Sequence, residues 1–427
     1  MSDQPPDPEQ QARLARRAAA RQARARTRRR AGLAVLVAAA VAIAAALIAA
    51  GSGGGRRAPG TAAAAGKAAR PARRHPPRVV SGGPLSPVRA GGISALWAAR
   101  NVVAPQPRTG ADYAAASKLR GLPGYLLIAD RGNNRILVVN ARRHRVFEYP
   151  TRHDLALGRR LFFNDDTFVE PGGRALIANE EDNHAIVDVG IQDHRLHLLF
   201  GQPGVMGTDS THLHTPDDAY KLPDGSITVA DAYNCRILFI RAHRIVREIG
   251  DSSTCRHDPP RYLGAVNGDT PEPDGGVLIS EIPGGWIDEV SASGRLRFAF
   301  QAPVSYPSDP QPLPGGRILL ADYASPGHIL ILSHHGHVFW RYGPRSGYGR
   351  LDHPSLAMAL PNGDIAVNDD YRERVVIIDP RTNRIVWQYG HTDKGGTAPG
   401  YLNTPDGMDF IPAGPHGGPD WAAVVHP

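Results

Sequence analysis

Six times in this chain a proline-led turn introduces the same succession of short apolar runs. The turns are Pro123-Gly124, Pro171-Gly172-Gly173, Pro223-Asp224-Gly225, Pro273-Asp274-Gly275, Pro314-Gly315-Gly316 and Pro361-Asn362-Gly363, their prolines 48, 52, 50, 41 and 47 residues apart. A run ending in a small or acidic residue follows each turn: YLLIAD, RALIAN, SITVAD, GVLISE, RILLAD and DIAVND. A second run comes next (RILVVN, AIVDVG, RILFIR, WIDEV, HILILS, RVVIID), and after a charged turn a third (HRVFEYP, RLHLLFG, RIVREIG, RLRFAF, HVFWRYG, RIVWQYG). Such short, β-branched runs, bounded by turn residues, read as strands rather than helices. A fourth short element precedes each later turn and recurs at the end: NDDTFVE, PDDAYKL, NGDTPEP, SDPQPL, PSLAMAL and PDGMDFI.

Four strands per period cannot bury both faces of one sheet, so the units must stack and close into a ring. The expectation is an all-β, six-bladed β-propeller spanning residues 91–427. The final piece, TPDGMDFI followed by DWAAVVHP, is expected to complete the first blade by pairing with its N-terminal strands, which removes the open edges. A seventh blade built from residues 92–104 and the C-terminus is the alternative. The 47 Gly and 38 Pro of the 427 residues fit a chain with this many turns.

The formal charge of +8 is distributed unevenly. Residues 1–30 carry nine Arg against Asp3, Asp7 and Glu9; residues 51–90 carry eight basic residues and no acid. Removing those +6 and +8 contributions from the total leaves residues 91–427 at −6. The basicity belongs to the tail and spacer, so nucleic-acid binding by the propeller is not expected. Between them, residues 31–50 (AGLAVLVAAAVAIAAALIAA) are uncharged. As a helix they would span about 30 Å, the thickness of a bilayer's hydrocarbon core. They are expected to form a transmembrane signal-anchor, with the arginine-rich tail 1–30 cytoplasmic and the propeller outside. A cleaved signal peptide is the rival, but the long basic segment before the span fits an anchor better. Residues 51–90 have few large apolar side chains and read as a spacer.

At LIADRGNNRILVVN (127–140) the chain resembles an NHL repeat: Ala-Asp, a Gly-Asn-Asn-Arg turn, then an apolar strand. VADAYNCRILFI is a looser match, and IIDPRTNRIVWQYG (377–390) is similar to quinoprotein-like and arylsulfotransferase-like repeats. These resemblances cover about residues 122–411 and imply a propeller without implying one activity.

Two sets of acids repeat. Asp165-Asp166, Asp217-Asp218, Asp269, Asp309 and Asp406, with Ser355 in the sixth unit, stand where each axis-lining strand should begin. Carboxylates gathered at a channel mouth would suit Ca²⁺ or another divalent cation. The plainer reading makes them turn caps, since residues encoded by a repeat usually serve the repeat. A second set ends the second strand of each unit: Asp130, Asp231, Asp322, Asn179, Glu281 and Asn368. These are expected to be turn acceptors.

Of the 18 histidines, His214 and His353 approach the ring end of their units and are the candidate catalytic residues. With His257 they would make a three-histidine Zn²⁺ site, and Asp217 is a further candidate ligand. Surface or turn histidines are the commoner outcome. Cys235 and Cys255, the only two cysteines, are expected to form a disulfide outside the cytoplasm. The chain has no phosphate-cradling glycine loop, no nucleophile elbow and no HExxH. The resulting expectation is a membrane-anchored, non-catalytic module that binds a protein or glycan of the cell envelope. The alternative is a metal-dependent lyase or hydrolase, or an arylsulfotransferase-like enzyme, with its site at the channel mouth.

Overall fold

The computed structural model describes residues 121–424 and His426. The basic tail (1–30), the expected membrane span (31–50), the spacer (51–90) and residues 92–104 lie outside the described residues. No helix among the described residues is long and apolar enough to cross a membrane.

Twenty-four strands, numbered in chain order, form six four-stranded antiparallel sheets. Blade 1 joins β1 (Tyr125–Asp130), β2 (Arg135–Asn140) and β3 (Arg145–Tyr149) to the last strand, β24 (Pro405–Ile411). Blade 2 is β4 (Asn164–Val169), β5 (Ala175–Glu180), β6 (Ala185–Gly190) and β7 (Leu196–Gly201). Blade 3 is β8 (Pro216–Lys221), β9 (Ile227–Asp231), β10 (Arg236–Arg241) and β11 (Arg244–Gly250). Blade 4 is β12 (Val266–Pro271), β13 (Val277–Glu281), β14 (Trp286–Val290) and β15 (Leu296–Gln301). Blade 5 is β16 (Pro307–Leu313), β17 (Arg317–Asp322), β18 (His328–Ser333) and β19 (Val338–Tyr342). Blade 6 is β20 (Ala357–Ala359), β21 (Ile365–Asp369), β22 (Arg374–Asp379) and β23 (Arg384–Gly390).

The described residues therefore form six blades, and the ring is closed by β24. That strand pairs antiparallel with β1, from Tyr125 opposite Ile411 to Asp130 opposite Pro405. The edge of β1 is thereby covered by the other end of the chain. Only part of the C-terminal piece behaves as expected: TPDGMDFI supplies β24, whereas Trp421–Ala423 makes one 3₁₀ turn. There Trp421 packs edge-on against Phe147, and His426 meets Asp409 at 2.8 Å.

Apolar faces meet between every pair of neighbouring blades. Leu127 and Val138 of blade 1 share a core with Leu176 and Val187 of blade 2. Phe239 and Ile279 join blades 3 and 4, Ile287 and Leu320 join blades 4 and 5, and Ile331 and Val376 join blades 5 and 6. Leu126 and Leu137 meet Val375 and Ile377 where the ring closes. Burying each such side chain stabilises the fold by about 1.5–3 kcal/mol, which holds the blades radially. The proline-led turns cap the opposite end of the blades from the mouth. Gly225 and Gly275 adopt φ of +82° and +84° there, which a side chain would strain.

Candidate functional site

Each second strand ends at the mouth of the ring, and in blades 1 to 5 its last residue lies opposite the first residue of the innermost strand. Asp130 pairs with Pro405, Glu180 with Asn164, Asp231 with Pro216, Glu281 with Val266 and Asp322 with Pro307. This acid accepts a backbone N–H from the loop entering the innermost strand of its own blade. The donors are Asn403 to Asp130 (2.7 Å), Phe162 to Glu180 (2.7 Å), His214 to Asp231 (2.7 Å), Gly264 to Glu281, Ser305 to Asp322 (3.0 Å) and Asp352 to Asp369 (2.7 Å). The structure thus moves two members of this set by one residue. Glu180 and Asp369 hold the position, not Asn179 and Asn368, because β5 and β21 each run one residue past the apolar stretch. In three blades an arginine five residues on completes the acid's shell: the Nε of Arg135, Arg236 and Arg374 donates to Asp130, Asp231 and Asp369 at 2.6, 2.8 and 2.7 Å.

The innermost strands carry a second group of acids around the axis. Register shifts in β4, β8, β12, β16 and β24 insert one extra residue near the mouth. A bulge of this kind re-aims consecutive side chains. The predicted ring consequently splits by depth. Asp165, Asp217 and Asp406 occupy the outermost level with Asn267, Ser308 and Ser355. Asp166, Asp218 and Asp309 sit at the next, and Asp269 one residue deeper, opposite Ile279. Gly407 belongs to the second level, where a Cβ would come within 2.4 Å of the Asp166 Cα. Glycine there lets two innermost strands approach.

Arg131, from the turn after β1, is buried among three acids: it lies 2.8 Å from Asp165 and also bonds Glu181 and Asp406. Its guanidinium stacks over Phe163. Asn267 donates to Asp217 and accepts from the Asp309 amide at 3.2 Å, linking blades 3, 4 and 5. Ser355 donates to Asp370 at 2.9 Å. Arg131, Glu181 and Asp370, which the sequence reading missed, share one position, the residue after the second-strand acid. Their signal was that this position is charged in three units and apolar or aromatic (Ala232, Ile282, Tyr323) in the others.

Burial sets the electrostatics of this cluster. Desolvation pushes Asp166 and Asp309 well above the usual carboxylate range, and the surrounding aspartates add to it. Desolvation raises Asp269 and Asp370 in the same way, and Asp218 to about 8. Burial also raises Asp165 against the pull of Arg131; burial is the largest influence on Asp406 too, but there Arg131 and the hydrogen bonds from Asp165 and Ser355 together hold the carboxyl below its ordinary value. One oxygen each of Asp166, Asp309 and Asp370 is buried without a hydrogen-bond partner. The oxygens of Asp165, Glu181 and Asp217 lie within 4.8 Å of one another, close enough for one cation.

The expected three-histidine site does not form. His214 packs against Tyr233 and His184, with ring centroids 5.4 and 6.0 Å away. His353 is buried between Tyr323 and Tyr371, and its Nδ1 meets Asp352 at 2.7 Å. His353 occupies a repeat position of positive φ (+54°) shared with Phe163, Thr215 and Thr404. His257 instead meets Glu281 at 3.0 Å, beside Asp288. The reason is chain geometry: the three histidines sit at different offsets from their innermost strands. Cys235 and Cys255 form a disulfide with their Cα atoms 5.4 Å apart, tying the loop after β11 to the start of β10.

No family model matches this chain, and no curated protein is significantly similar to it. Among solved structures it is similar to a protein of unknown function from Bacteroides caccae (16% identity, 67% of this chain and 98% of that one, TM-score 0.46). It is also similar to a chain of a nidogen/laminin complex (13%, 66% and 97%, TM-score 0.47) and to a streptogramin B lyase (17%, 71% and 86%, TM-score 0.45).

Proposed function

We propose that this chain is an NHL-type propeller, anchored by residues 31–50 and presented outside the cytoplasm, that binds a cationic group of an envelope partner at its acidic mouth. One observation carries the reading. Among the described residues, nine carboxyl groups (Asp165, Asp166, Glu181, Asp217, Asp218, Asp269, Asp309, Asp370 and Asp406) are gathered with one guanidinium, that of Arg131. Closely spaced buried acids resist ionising together, and a cation arriving from outside relieves that repulsion. A basic segment of a protein meets this requirement directly; a glycan would need a bridging Ca²⁺.

Titrating the full chain in detergent with a hexalysine peptide, with Ca²⁺ as competitor, tests the reading. Saturable, salt-sensitive binding that weakens about tenfold, or 1.4 kcal/mol, in Asp217→Asn supports it. Absence of binding, or binding indifferent to Asp217, overturns it. Trypsin added to intact cells addresses the placement: the arginines of residues 51–90 should be cut and the propeller released.

A metal-dependent lyase or hydrolase is the second reading, supported by the convergence of Asp165, Glu181 and Asp217 oxygens. Such a site would need an ion to activate water. Turnover that depends on an added divalent cation and is lost in Glu181→Gln would favour it over the binder.

A further inference from the structure

Blade 4 departs from the repeat at two neighbouring positions of its third strand. Where Arg135, Arg236 and Arg374 begin this strand and neutralise the second-strand acid, blade 4 has Trp286. Two residues further on, the other five blades place Leu137, Val187, Leu238, Leu330 and Val376 in the core. Blade 4 places Asp288 there, fully buried. Its equivalence is fixed by register: Asp288 pairs with Ile279 as Leu137 pairs with Ile128 and Leu238 with Val229.

Glu281 and His257 complete a cluster around it. His257 Nδ1 is 3.0 Å from Glu281 Oε1 and 3.9 Å from Asp288 Oδ2, and the ligand atoms of all three residues lie within 4.8 Å of one another. Both oxygens of Asp288 are buried without a hydrogen-bond partner. The surroundings hold the other two groups in place. The His257 ring stacks on Trp286 at 3.7 Å and 7°, so the residue that replaced the arginine orients the imidazole. The Gly264 amide donates to Glu281, and a Cβ on residue 264 would lie 2.7 Å from Glu281 Oε2. Cys255, two residues before His257, is bonded to Cys235 of blade 3.

We propose that His257, Glu281 and Asp288 form a binding site for a first-row divalent cation, Zn²⁺ in preference to Mn²⁺. One imidazole nitrogen and two carboxylates suit such an ion, and the nitrogen disfavours Ca²⁺. An imidazolium simply replacing the missing arginine explains the contact between His257 and Glu281. It leaves unexplained a second buried carboxyl where five blades carry a hydrocarbon. Because the His257 side chain is partly exposed, a fourth coordination position stays open to water or to an anionic group. This site shares no residue with the nine-carboxyl cluster of the channel and does not rest on the function proposed above.

Calorimetric titration of the chelator-treated full chain in detergent with Zn²⁺ alone tests the site, with Asp288→Leu and Asp217→Asn beside the wild type. One equivalent should bind the wild type and Asp217→Asn, and bind at least about 100-fold more weakly in Asp288→Leu. Leucine is native to this position in other blades, so Asp288→Leu should stay folded; His257→Gln gives the same loss should it not. Zn²⁺ should raise the Tm of the wild type and leave that of Asp288→Leu unchanged. A folded wild type that takes up no Zn²⁺, or an equivalent that survives both Asp288→Leu and His257→Gln, overturns the proposal.

Discussion

The propeller carries two rings of acids, and the protein treats them in opposite ways. Acids ending the second strands each receive a loop amide, and in three blades an arginine as well. Acids of the innermost strands face one another; among the described residues Arg131 is the one guanidinium paired with them, and buried oxygens are left over. Both rings are repeat-encoded and both are desolvated. The difference lies in what surrounds them: one is satisfied within its own blade, whereas the other draws its partners from neighbouring blades and keeps buried oxygens without a hydrogen bond at Asp166, Asp269 and Asp309. A carboxylate with a complete shell is part of the architecture, whereas orphaned ones mark a place that a ligand can finish.

The largest effect should come from breaking the satisfied ring. Asp369→Ala strands the fully buried Arg374, whose Nε donates to Asp369 at 2.7 Å. Removing one partner of such a pair costs about 3–5 kcal/mol. Thermal unfolding should show a Tm lower by about 10 °C, at roughly 2–4 °C per kcal/mol. Next comes the disulfide that ties the His257 loop. Its 20-residue separation makes Cys255→Ser cost about 3 kcal/mol in the chain-entropy account, measurable by urea unfolding with and without reductant.

The unsatisfied ring predicts a dependence on pH of defined sign. Asp166, Asp218, Asp269, Asp309 and Asp370 are raised above their unfolded values, Asp218 to about 8. The folded state therefore binds more protons than the unfolded one. Their contribution is complete below the unfolded carboxylate range and drains as the pH climbs from about 4 towards 8. With chelator present, Tm should fall by a few degrees across that interval. Adding Ca²⁺ at the upper end should restore it if the channel takes a cation.

The smallest effect has the opposite sign to the first. Asp309→Asn keeps the shape and removes an acid whose ionisation burial and the neighbouring aspartates oppose. It should be neutral or stabilising by about 1 kcal/mol at pH 8, read as an unchanged or slightly raised Tm. A loss as large as that of Asp369→Ala would erase the distinction between the rings.

Much of this was legible in the sequence. Strand, turn and closing strand are local properties: short β-branched apolar runs, a proline-led turn and a fourth element recurring near the C-terminus dictate them without reference to distant residues. The pairing of Cys235 with Cys255 followed from their being the only two thiols. The grouping of acids was legible only as two sets, not as neighbours. Asp309 stands two residues and Asp269 three residues into its strand where Asp165, Asp217 and Asp406 stand one, and nothing in the apolar pattern marks where these innermost strands begin. The histidine expectation failed for a related reason, since proximity to a strand start does not say which way a loop side chain turns.

What the sequence by itself determined is a repeating, acidic β-architecture behind a basic, apolar-interrupted N-terminal region. What only the tertiary structure decided is which charges meet. Arg131 reaches an aspartate 275 positions away, and His257 reaches the following blade's Glu281 and Asp288. Ring closure brings these groups together, and the desolvation that gives them their chemistry exists only once the blades have packed.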